Sequence, residues 1–271
     1  MYKIFISVRN RLAMTKKCIE AIKRHSTIPY QIYIYDNLTN YRLKDHFDFY
    51  HDLMSKGQIA QVTFNTATST FKAFSKAAAC NEFGALHEQD PNKDNIMFLI
   101  FLDNDIIVTP KFDKTLRAAW KDVRKYKHSN VKVIGQRPGG IKNGQKLPHQ
   151  IAGVDAIIGR YGGSALWCVK NDFFRDVGYL DLRQLVNHNK KHDQLYWRKI
   201  AQAANGDRYI LGLSKKLGIH CGRVAGSVCN TLNRNSNADV SFKNPDAKID
   251  KMPFDKFYKN ICDKKELHND W

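Results

Sequence analysis

The pattern of apolar and polar positions is most informative at residues 96–102, where seven consecutive apolar side chains precede Asp103, Asn104 and Asp105. A second apolar run, residues 106–108, follows at once. An apolar run of this length predicts a strand buried on both faces, as in the middle of a sheet covered by helices. Since an unpaired carboxylate is costly in such a core, Asp103 and Asp105 are expected at the edge of the sheet, where open α/β folds bind ligands.

Strands and helices are predicted to alternate along the rest of the chain. Residues 2–8 and 31–35 are short apolar strands, and side chains at helical spacing between them predict a helix that Thr15 caps and that runs to about His25. Further strands are predicted at 60–65, 131–136, 150–158, 165–169 and 208–213, and further helices at 41–56, 69–87, 110–126, 172–177 and 194–204. A strand, a helix and a strand in this order form a βαβ unit with parallel strands, so the predicted fold class is α/β.

The composition changes from Val224 onward, where a polar, turn-rich stretch leads into a segment dense in lysine. Aromatic side chains, including Phe254, Phe257 and Tyr258, are interleaved with these lysines. One interpretation is an arm that packs back on the body through its aromatic side chains and presents lysines to a polyanion. The other is a solvated terminal helix. In either case a basic C-terminal extension is predicted over residues 224–271.

Charge is the unusual bulk property, because 44 lysine and arginine residues stand against 26 aspartate and glutamate residues, for a formal net charge of +18. Such an excess favours polyanionic partners such as nucleic acid, an anionic membrane face or phosphorylated substrates. The alternative is a generic basic surface that serves solubility. The six cysteines form no CxxC pair, which argues against a cysteine-based zinc site and fits reduced thiols. With no long apolar segment and no signal region, we expect a cytoplasmic protein, peripheral at a membrane or on nucleic acid.

Five residues carry candidate chemistry, and each also has a structural interpretation. The oxygen ligands of Asp103 and Asp105 suit a divalent cation that also holds phosphates, but an Asp-Asn turn favours the same residues. Asp36 ends a predicted strand where nucleotide-binding folds contact a ribose or base, and it could equally be a turn residue. Asp193 complements the dipole of the helix that it begins. His220 lies in a predicted loop and is either a ligand or a structural histidine.

In order and spacing, these segments resemble the family 2 glycosyltransferases of the GT-A fold, over roughly residues 3–222. The segments that carry the resemblance are FISVRNR, YIYDNLT, KAAACNEFGA, FLDNDIIVTP, GGSALWCVKNDFFRDVGYLD, KHDQLYWRKI and GIHCG. The resemblance implies a single Rossmann-like mixed sheet flanked by helices over residues 1–223, with a nucleotide-sugar half, 1–110, and an acceptor half, 111–223. It also implies a donor that is a nucleotide diphosphate sugar, a UDP-sugar by family habit, and a Mn²⁺ or Mg²⁺ ion.

The resemblance implies roles for individual residues as well. Asp105 would hold the metal together with His220 and Asp103, and Asp193 would be the general base of an inverting transfer. The nucleotide-binding residues implied are Val8, Asn10, Asp36, Asn81, Asp103 and Asn104. The chain departs from the family at His192, which replaces a glutamate before the base, at the first turn, VRN, and in its lysine-rich tail.

The acceptor and the function class are left open by the sequence. An acidic acceptor is favoured, either nucleic acid that carries a modified base hydroxyl, as in phage-type DNA, or a glycan or lipid-linked acceptor at an anionic membrane. A nucleotidyltransferase would normally need a Gly-rich phosphate loop near the N-terminus, which is missing between Val8 and Lys17. A nucleic-acid-binding protein on a GT-A scaffold is the non-enzymatic alternative.

Overall fold

A computed structural model describes residues 1–37, 42–65, 76–125, 131–136, 149–151, 154–158, 165–179, 218–221, 229–231 and 251–262. The strands are β1 Tyr2–Val8, β2 Tyr30–Asp36, β3 Gln61–Phe64, β4 Phe98–Asp103, β5 Ile106–Val108, β6 Val133–Gln136, β7 His149–Ile151, β8 Val154–Ile158, β9 Leu166–Lys170, β10 Gly218–Cys221 and β11 Cys229–Thr231. The helices are α1 Leu12–His25, α2 Leu43–Ser55, α3 Lys76–Glu88, α4 Phe112–Lys125, α5 Phe173–Val177 and α6 Phe254–Cys262. The predicted helix 194–204 and strand 208–213 lie outside the described residues.

The described strands form one mixed sheet of nine strands, in the order β3-β2-β1-β4-β9-β6-β10-β8-β7, and a two-stranded sheet of β5 and β11. Strands β1 to β4 are parallel to one another, as the βαβ pattern predicts. Strand β9 runs antiparallel to both β4 and β6, so the sheet is mixed from its centre onward. The predicted α/β fold with a single large mixed sheet is therefore confirmed.

Strand β4 is buried on both faces, as its continuous apolar run predicts. Ile100 and Leu102 belong to the hydrophobic cluster that contains side chains of α1, α2, α4 and α6. Leu99 and Phe101 belong to the cluster on the opposite face, which contains side chains of α3 and α5. Because successive side chains of a strand point to opposite faces, a strand covered on both sides has no polar positions until it reaches the edge.

Helix α3 lies so close to α5 that Gly84 cannot easily be replaced. A Cβ atom added at Gly84 would meet the ring of Phe174 at 2.7 Å. The ring of Phe174 is buried and lies edge-on to that of Phe101, so it has little freedom to move away. Close packing against Phe174 thus explains the glycine in the segment KAAACNEFGA of this chain.

The start of α1 differs from the prediction that Thr15 caps it. The helix begins at Leu12, and Thr15 lies in its first turn, where its hydroxyl donates to the carbonyl oxygen of Arg11 at 3.1 Å. The residues before the helix, Asn10 and Arg11, have left-handed backbone conformations, with φ of 54° and 56°. The helix therefore begins four residues earlier than a cap at Thr15 would place it, and the turn before it is stabilised by contacts described below.

The described parts of the predicted C-terminal extension pack on the rest of the protein. Strand β11 pairs with β5, the strand that follows Asp105, with Asn230 opposite Ile107. Helix α6 buries Phe254 and Phe257 in the same cluster as α1. Of the two interpretations of the lysine-rich segment, the structure favours the arm that packs back on the body. No helix in the described ranges combines the length and apolar character needed to cross a membrane.

Two buried histidines make the stability of this fold depend on pH. His46 and His87 are fully buried, and each has one ring nitrogen without a hydrogen-bond partner among the described residues. Burial is the main cause that lowers the pKa of both from the ordinary value of 6.5. Below pH 6.5 the unfolded chain therefore binds more protons than the native protein, and the free energy of unfolding falls as the pH falls toward the native pKa values.

We expect the free energy of unfolding, measured with urea, to be lower at pH 5.5 than at pH 7.5 by about 1 kcal/mol for each of these histidines. Replacing both His46 and His87 with glutamine should reduce this difference, whereas His51→Gln, at an exposed position of α2, should leave it unchanged. A double variant with the full wild-type difference would contradict the explanation.

Candidate functional site

The register of the parallel strands brings three predicted site residues to one edge of the sheet. Val8 at the end of β1 lies opposite Asp36 at the end of β2, and Asp103 at the end of β4 lies opposite Ser7. The backbone continues this alignment beyond the strands, because the Asn37 N–H donates to the carbonyl oxygen of Val8 at 2.7 Å. This carboxyl edge is where open α/β sheets bind ligands. The sequence prediction that Asp36 and Asp103 lie at strand ends is confirmed.

Asp36 belongs to a buried polar chain that includes two residues of α2. The hydroxyl of Tyr50 donates to Oδ2 of Asp36 at 2.9 Å, and Nδ1 of His46 lies 3.1 Å from the same hydroxyl. Burial and the Asp36 carboxylate raise the pKa of Tyr50, so the phenol keeps its proton and donates it. Because the hydroxyl proton points at Asp36, His46 must donate its own Nδ1–H to the tyrosine oxygen. These hydrogen bonds from α2 hold the carboxylate of Asp36 in place.

We expect Tyr50→Phe to lower the free energy of unfolding by about 1–3 kcal/mol, because it leaves the buried Asp36 carboxylate without its hydroxyl donor. The matched control is Tyr33→Phe on the same strand as Asp36, where the lost hydrogen bond joins Tyr33 to Gln31 and is only part-buried. Urea denaturation of both variants measures the difference. Equal losses in the two variants would contradict the role given to Tyr50.

The turn between β1 and α1 is fastened to the turn that follows β4. The side chain of Asn104 is buried, and its amide nitrogen donates to the carbonyl oxygen of Asn10 at 3.2 Å and to the hydroxyl of Thr15 at 3.0 Å. These two bonds hold Asn10 and Arg11 in their left-handed conformations, which cost energy in non-glycine residues. Asn104 therefore braces the two turns against each other, and a direct contact of Asn104 with a nucleotide stays a prediction.

Asp105 is held by an arginine from the neighbouring turn. Nη1 of Arg11 lies 2.7 Å from Oδ2 of Asp105, and the two side chains are 20% and 17% exposed. The pair thus joins the turn after β1 to the turn after β4, at the edge where the predicted metal and nucleotide sites lie. The pair is partly shielded from solvent, so its attraction is stronger than that of an exposed ion pair.

The chemistry of Asp103 and Asp105 fits a hard divalent cation that takes most of its remaining ligands from phosphate oxygens. Among the side chains that the structure describes, no three histidine, cysteine, aspartate or glutamate residues converge on one point. The role of Asp103 and Asp105 as metal ligands stays a prediction. For a cation to use Oδ2 of Asp105, Arg11 would have to release that oxygen.

The structure places Asn81 and His220 on elements other than β1, β2 and β4. Asn81 lies half-buried on α3, on the face of the sheet opposite α1. His220 is in strand β10 rather than in a loop, opposite Gly135 of β6 and Ile157 of β8. Strand β10 is three strands from β4, a backbone separation of roughly 14 Å. The side chain of His220 and all of Asp193 lie outside the described residues, so their roles stay predictions.

Three residues of the site were not found by sequence reasoning. Arg11 directly follows VRN, the turn that departs from the family pattern, and that departure was the available signal. Tyr50 was predicted only as part of the helix 41–56, in which its ring is buried while its hydroxyl contacts Asp36. His46 carried no signal, because a histidine on a helix predicts no partner.

Comparison with solved structures shows which fold this is. Similar to this chain is the mannosyltransferase PcManGT from Pyrobaculum calidifontis, solved in complex with GDP-Man and Mn²⁺, at 10% identity and a TM-score of 0.53, over 88% of this chain and 59% of that one. The chain has a GT-A fold. S. aureus TarS 1–349, solved in complex with UDP, is also similar, at 11% identity and a TM-score of 0.49, over 85% of this chain and 60% of that one.

The fold assignment rests on the mannosyltransferase, which has the higher TM-score of the two. This chain spans about 60% of the length of both solved chains. No protein-family model matches the sequence, and a search of curated proteins finds no match. At identities this low the likeness shows the fold, and the activity has to be argued from this chain's own residues.

Proposed function

We propose that this protein is a metal-dependent inverting glycosyltransferase that moves a sugar from a nucleotide diphosphate sugar, a UDP-sugar in the first instance, to a hydroxyl acceptor. The observation that carries the proposal is the alignment of Val8, Asp36 and Asp103 at one edge of a GT-A sheet, with Asp105 next to them. Carboxylates at a ligand-binding edge are the side chains that would bind a cation and a ribose, which supports the proposal.

Each residue of the edge has a role in this proposal. Asp36, held by Tyr50, would accept hydrogen bonds from the ribose or base of the donor. Asp103 and Asp105 would hold the cation, with His220 as a further ligand, while Val8, Asn10, Asn81 and Asn104 line or brace the nucleotide site. When bound, the cation supplies Lewis-acid stabilisation of the leaving diphosphate. Asp193 would accept the proton of the acceptor hydroxyl, which places the attack opposite the leaving group and inverts the anomeric carbon.

The acceptor that fits the charge of the protein is acidic. Helix α6 turns Phe254 and Phe257 into the core, while Lys251, just before the helix, and Lys256 and Lys259 within it are exposed. These exposed lysines are part of the net charge of +18 and can contact a polyanion. We favour nucleic acid with a hydroxyl on a modified base. A glycan or lipid-linked acceptor at an anionic membrane uses the same lysines and is the alternative.

The test is a thermal-shift and turnover screen with UDP- and GDP-sugars. UDP together with Mn²⁺, both at saturating concentrations, should raise the melting temperature by about 5 °C or more. Hydrolysis of a sugar nucleotide in the presence of Mn²⁺, accelerated by hydroxymethylated DNA or by anionic vesicles carrying a glycan acceptor, then identifies the acceptor class. Stabilisation by DNA alone, with no response to any nucleotide, would instead support a nucleic-acid-binding protein.

A further inference from the structure

The ion pair between Arg11 and Asp105 occupies an oxygen that the proposed function needs for another purpose. Nη1 of Arg11 lies 2.7 Å from Oδ2 of Asp105. A divalent cation bound at that oxygen would lie within a few ångströms of the guanidinium, and two positive groups so close repel each other strongly in a partly shielded site. Arg11 and a cation therefore compete for Asp105.

Arg11 needs a new counter-charge as soon as it loses Asp105. Its side chain is only 20% exposed, and Asp105 is the acidic partner of its guanidinium among the described residues. A largely shielded arginine without an anion is costly, so the displaced guanidinium would turn to the nearest negative group. In a site that binds a cation together with a nucleotide diphosphate, that group is the diphosphate, because the planar guanidinium can donate two parallel hydrogen bonds to phosphate oxygens.

The local structure allows this exchange without a movement of the backbone. The carbonyl oxygen of Asn10 and the hydroxyl of Thr15 are held by Asn104, and the carbonyl oxygen of Arg11 accepts from the backbone N–H and the hydroxyl of Thr15. The backbone of the turn is thus fixed on both sides of Arg11. The long side chain of Arg11 is held only through its guanidinium, by Asp105, among the described contacts. A change of side-chain rotamer moves the guanidinium several ångströms on a fixed base.

We propose that Arg11 is a donor-binding residue that exchanges partners: it holds Asp105 in the free protein and the diphosphate of the donor once a divalent cation takes Asp105. The inference rests on the proposed function and deepens it. It assigns a role to the residue that directly follows the turn VRN, the place where this chain departs from the family pattern. It also makes cation and nucleotide binding mutually dependent. The cation frees Arg11 to contact the diphosphate, and the diphosphate gives Arg11 the anion that it loses when the cation takes Asp105.

The exchange is tested by measuring Mn²⁺ binding without nucleotide, from the electron paramagnetic resonance signal of free Mn²⁺, and UDP binding by calorimetry at saturating Mn²⁺. Replacing Arg11 with methionine frees Asp105, so we expect Mn²⁺ alone to bind about tenfold more tightly than to the wild-type protein. In the same variant UDP should bind about tenfold more weakly, because the diphosphate has lost its arginine. Arg11→Gln should behave in the same way, and it provides a second neutral variant should the first fold poorly.

The matched control is Arg24→Met in α1, the helix that follows Arg11. The ion pairs of Arg24 with Asp255 and Glu20 are far more exposed, so this variant should leave both affinities unchanged. Wild-type Mn²⁺ affinity in both Arg11 variants would overturn the inference even if UDP bound more weakly. Tighter Mn²⁺ binding with unchanged UDP affinity would overturn it as well, because Arg11 would then only block the cation. A wild-type protein that binds no nucleotide with Mn²⁺ overturns the proposed function itself, and this is seen before any variant is made.

Discussion

Replacing Asp105 with asparagine is expected to abolish the stabilisation of the protein by UDP with Mn²⁺ and to lower turnover of a sugar nucleotide by about 10³-fold. The substitution keeps the size and one oxygen of the side chain, but it removes the negative charge that attracts a divalent cation. The neutral side chain can still accept a hydrogen bond from Arg11, so the turns after β1 and β4 should stay in contact. Melting temperature without ligands, melting temperature with UDP and Mn²⁺, and turnover are measured on the same preparation.

The control for Asp105 is Asp94→Asn, a substitution at an exposed position of the short 3₁₀ turn Lys93–Asn95. This variant should retain the wild-type response to UDP and Mn²⁺ and the wild-type turnover. If Asp105→Asn keeps its metal-dependent response, then Asp105 is not a metal ligand. The ion pair between Arg11 and Asp105 would in that case be purely structural.

Asp193→Asn is expected to lower kcat for transfer to the acceptor by about 10³-fold, while UDP and Mn²⁺ stabilise the variant as well as they stabilise the wild-type protein. An asparagine cannot take the proton of the attacking hydroxyl, while the residues proposed to hold the donor and the cation are unchanged. The separation of kcat from nucleotide binding distinguishes a general base from a residue that only holds the fold. Transfer rates and thermal shifts are measured for Asp193→Asn and Asp94→Asn side by side.

Transfer at the wild-type rate by Asp193→Asn would show that another group accepts the proton. The stereochemistry of the product gives an independent reading, because a single displacement with a base opposite the leaving group inverts the anomeric carbon. A product with retained configuration would therefore contradict the proposed role of Asp193 even if the variant were inactive. Retained turnover in both the Asp105 and the Asp193 variants would exclude the proposed mechanism as a whole.

The positions of β4 and its carboxylates were predictable because burial and charge act on the sequence locally. Residues 96–102 are apolar without interruption, and a strand covered on both faces needs such a run. Asp103 follows directly because the strand reaches the edge there, and the same reasoning placed Asp36 at the end of β2. Both positions are confirmed, since the parallel order β2-β1-β4 brings strand ends to the same edge.

The partners of these carboxylates were not predictable in the same way. Arg11 and Asp105 are separated by 94 positions along the chain, and any of many arginines could have been the partner of that aspartate. The pairing of β5 with β11 likewise joins a strand next to Asp105 with a segment that its polar composition predicts as turns. Local pattern carries no information about such contacts, because only the folded chain sets which distant surfaces meet.

By itself the sequence determined the strand that ends in Asp103, the parallel βαβ beginning, the predominance of positive charge and, through its motif order, the resemblance to a GT-A glycosyltransferase. The tertiary structure alone decided that Tyr50 and His46 hold Asp36, that Asn104 braces the first turn, and that Arg11 holds Asp105. The physical reason is that periodicity and burial are properties of neighbouring residues, whereas ion pairs and hydrogen bonds between turns depend on how the sheet aligns strand ends that are distant in the chain.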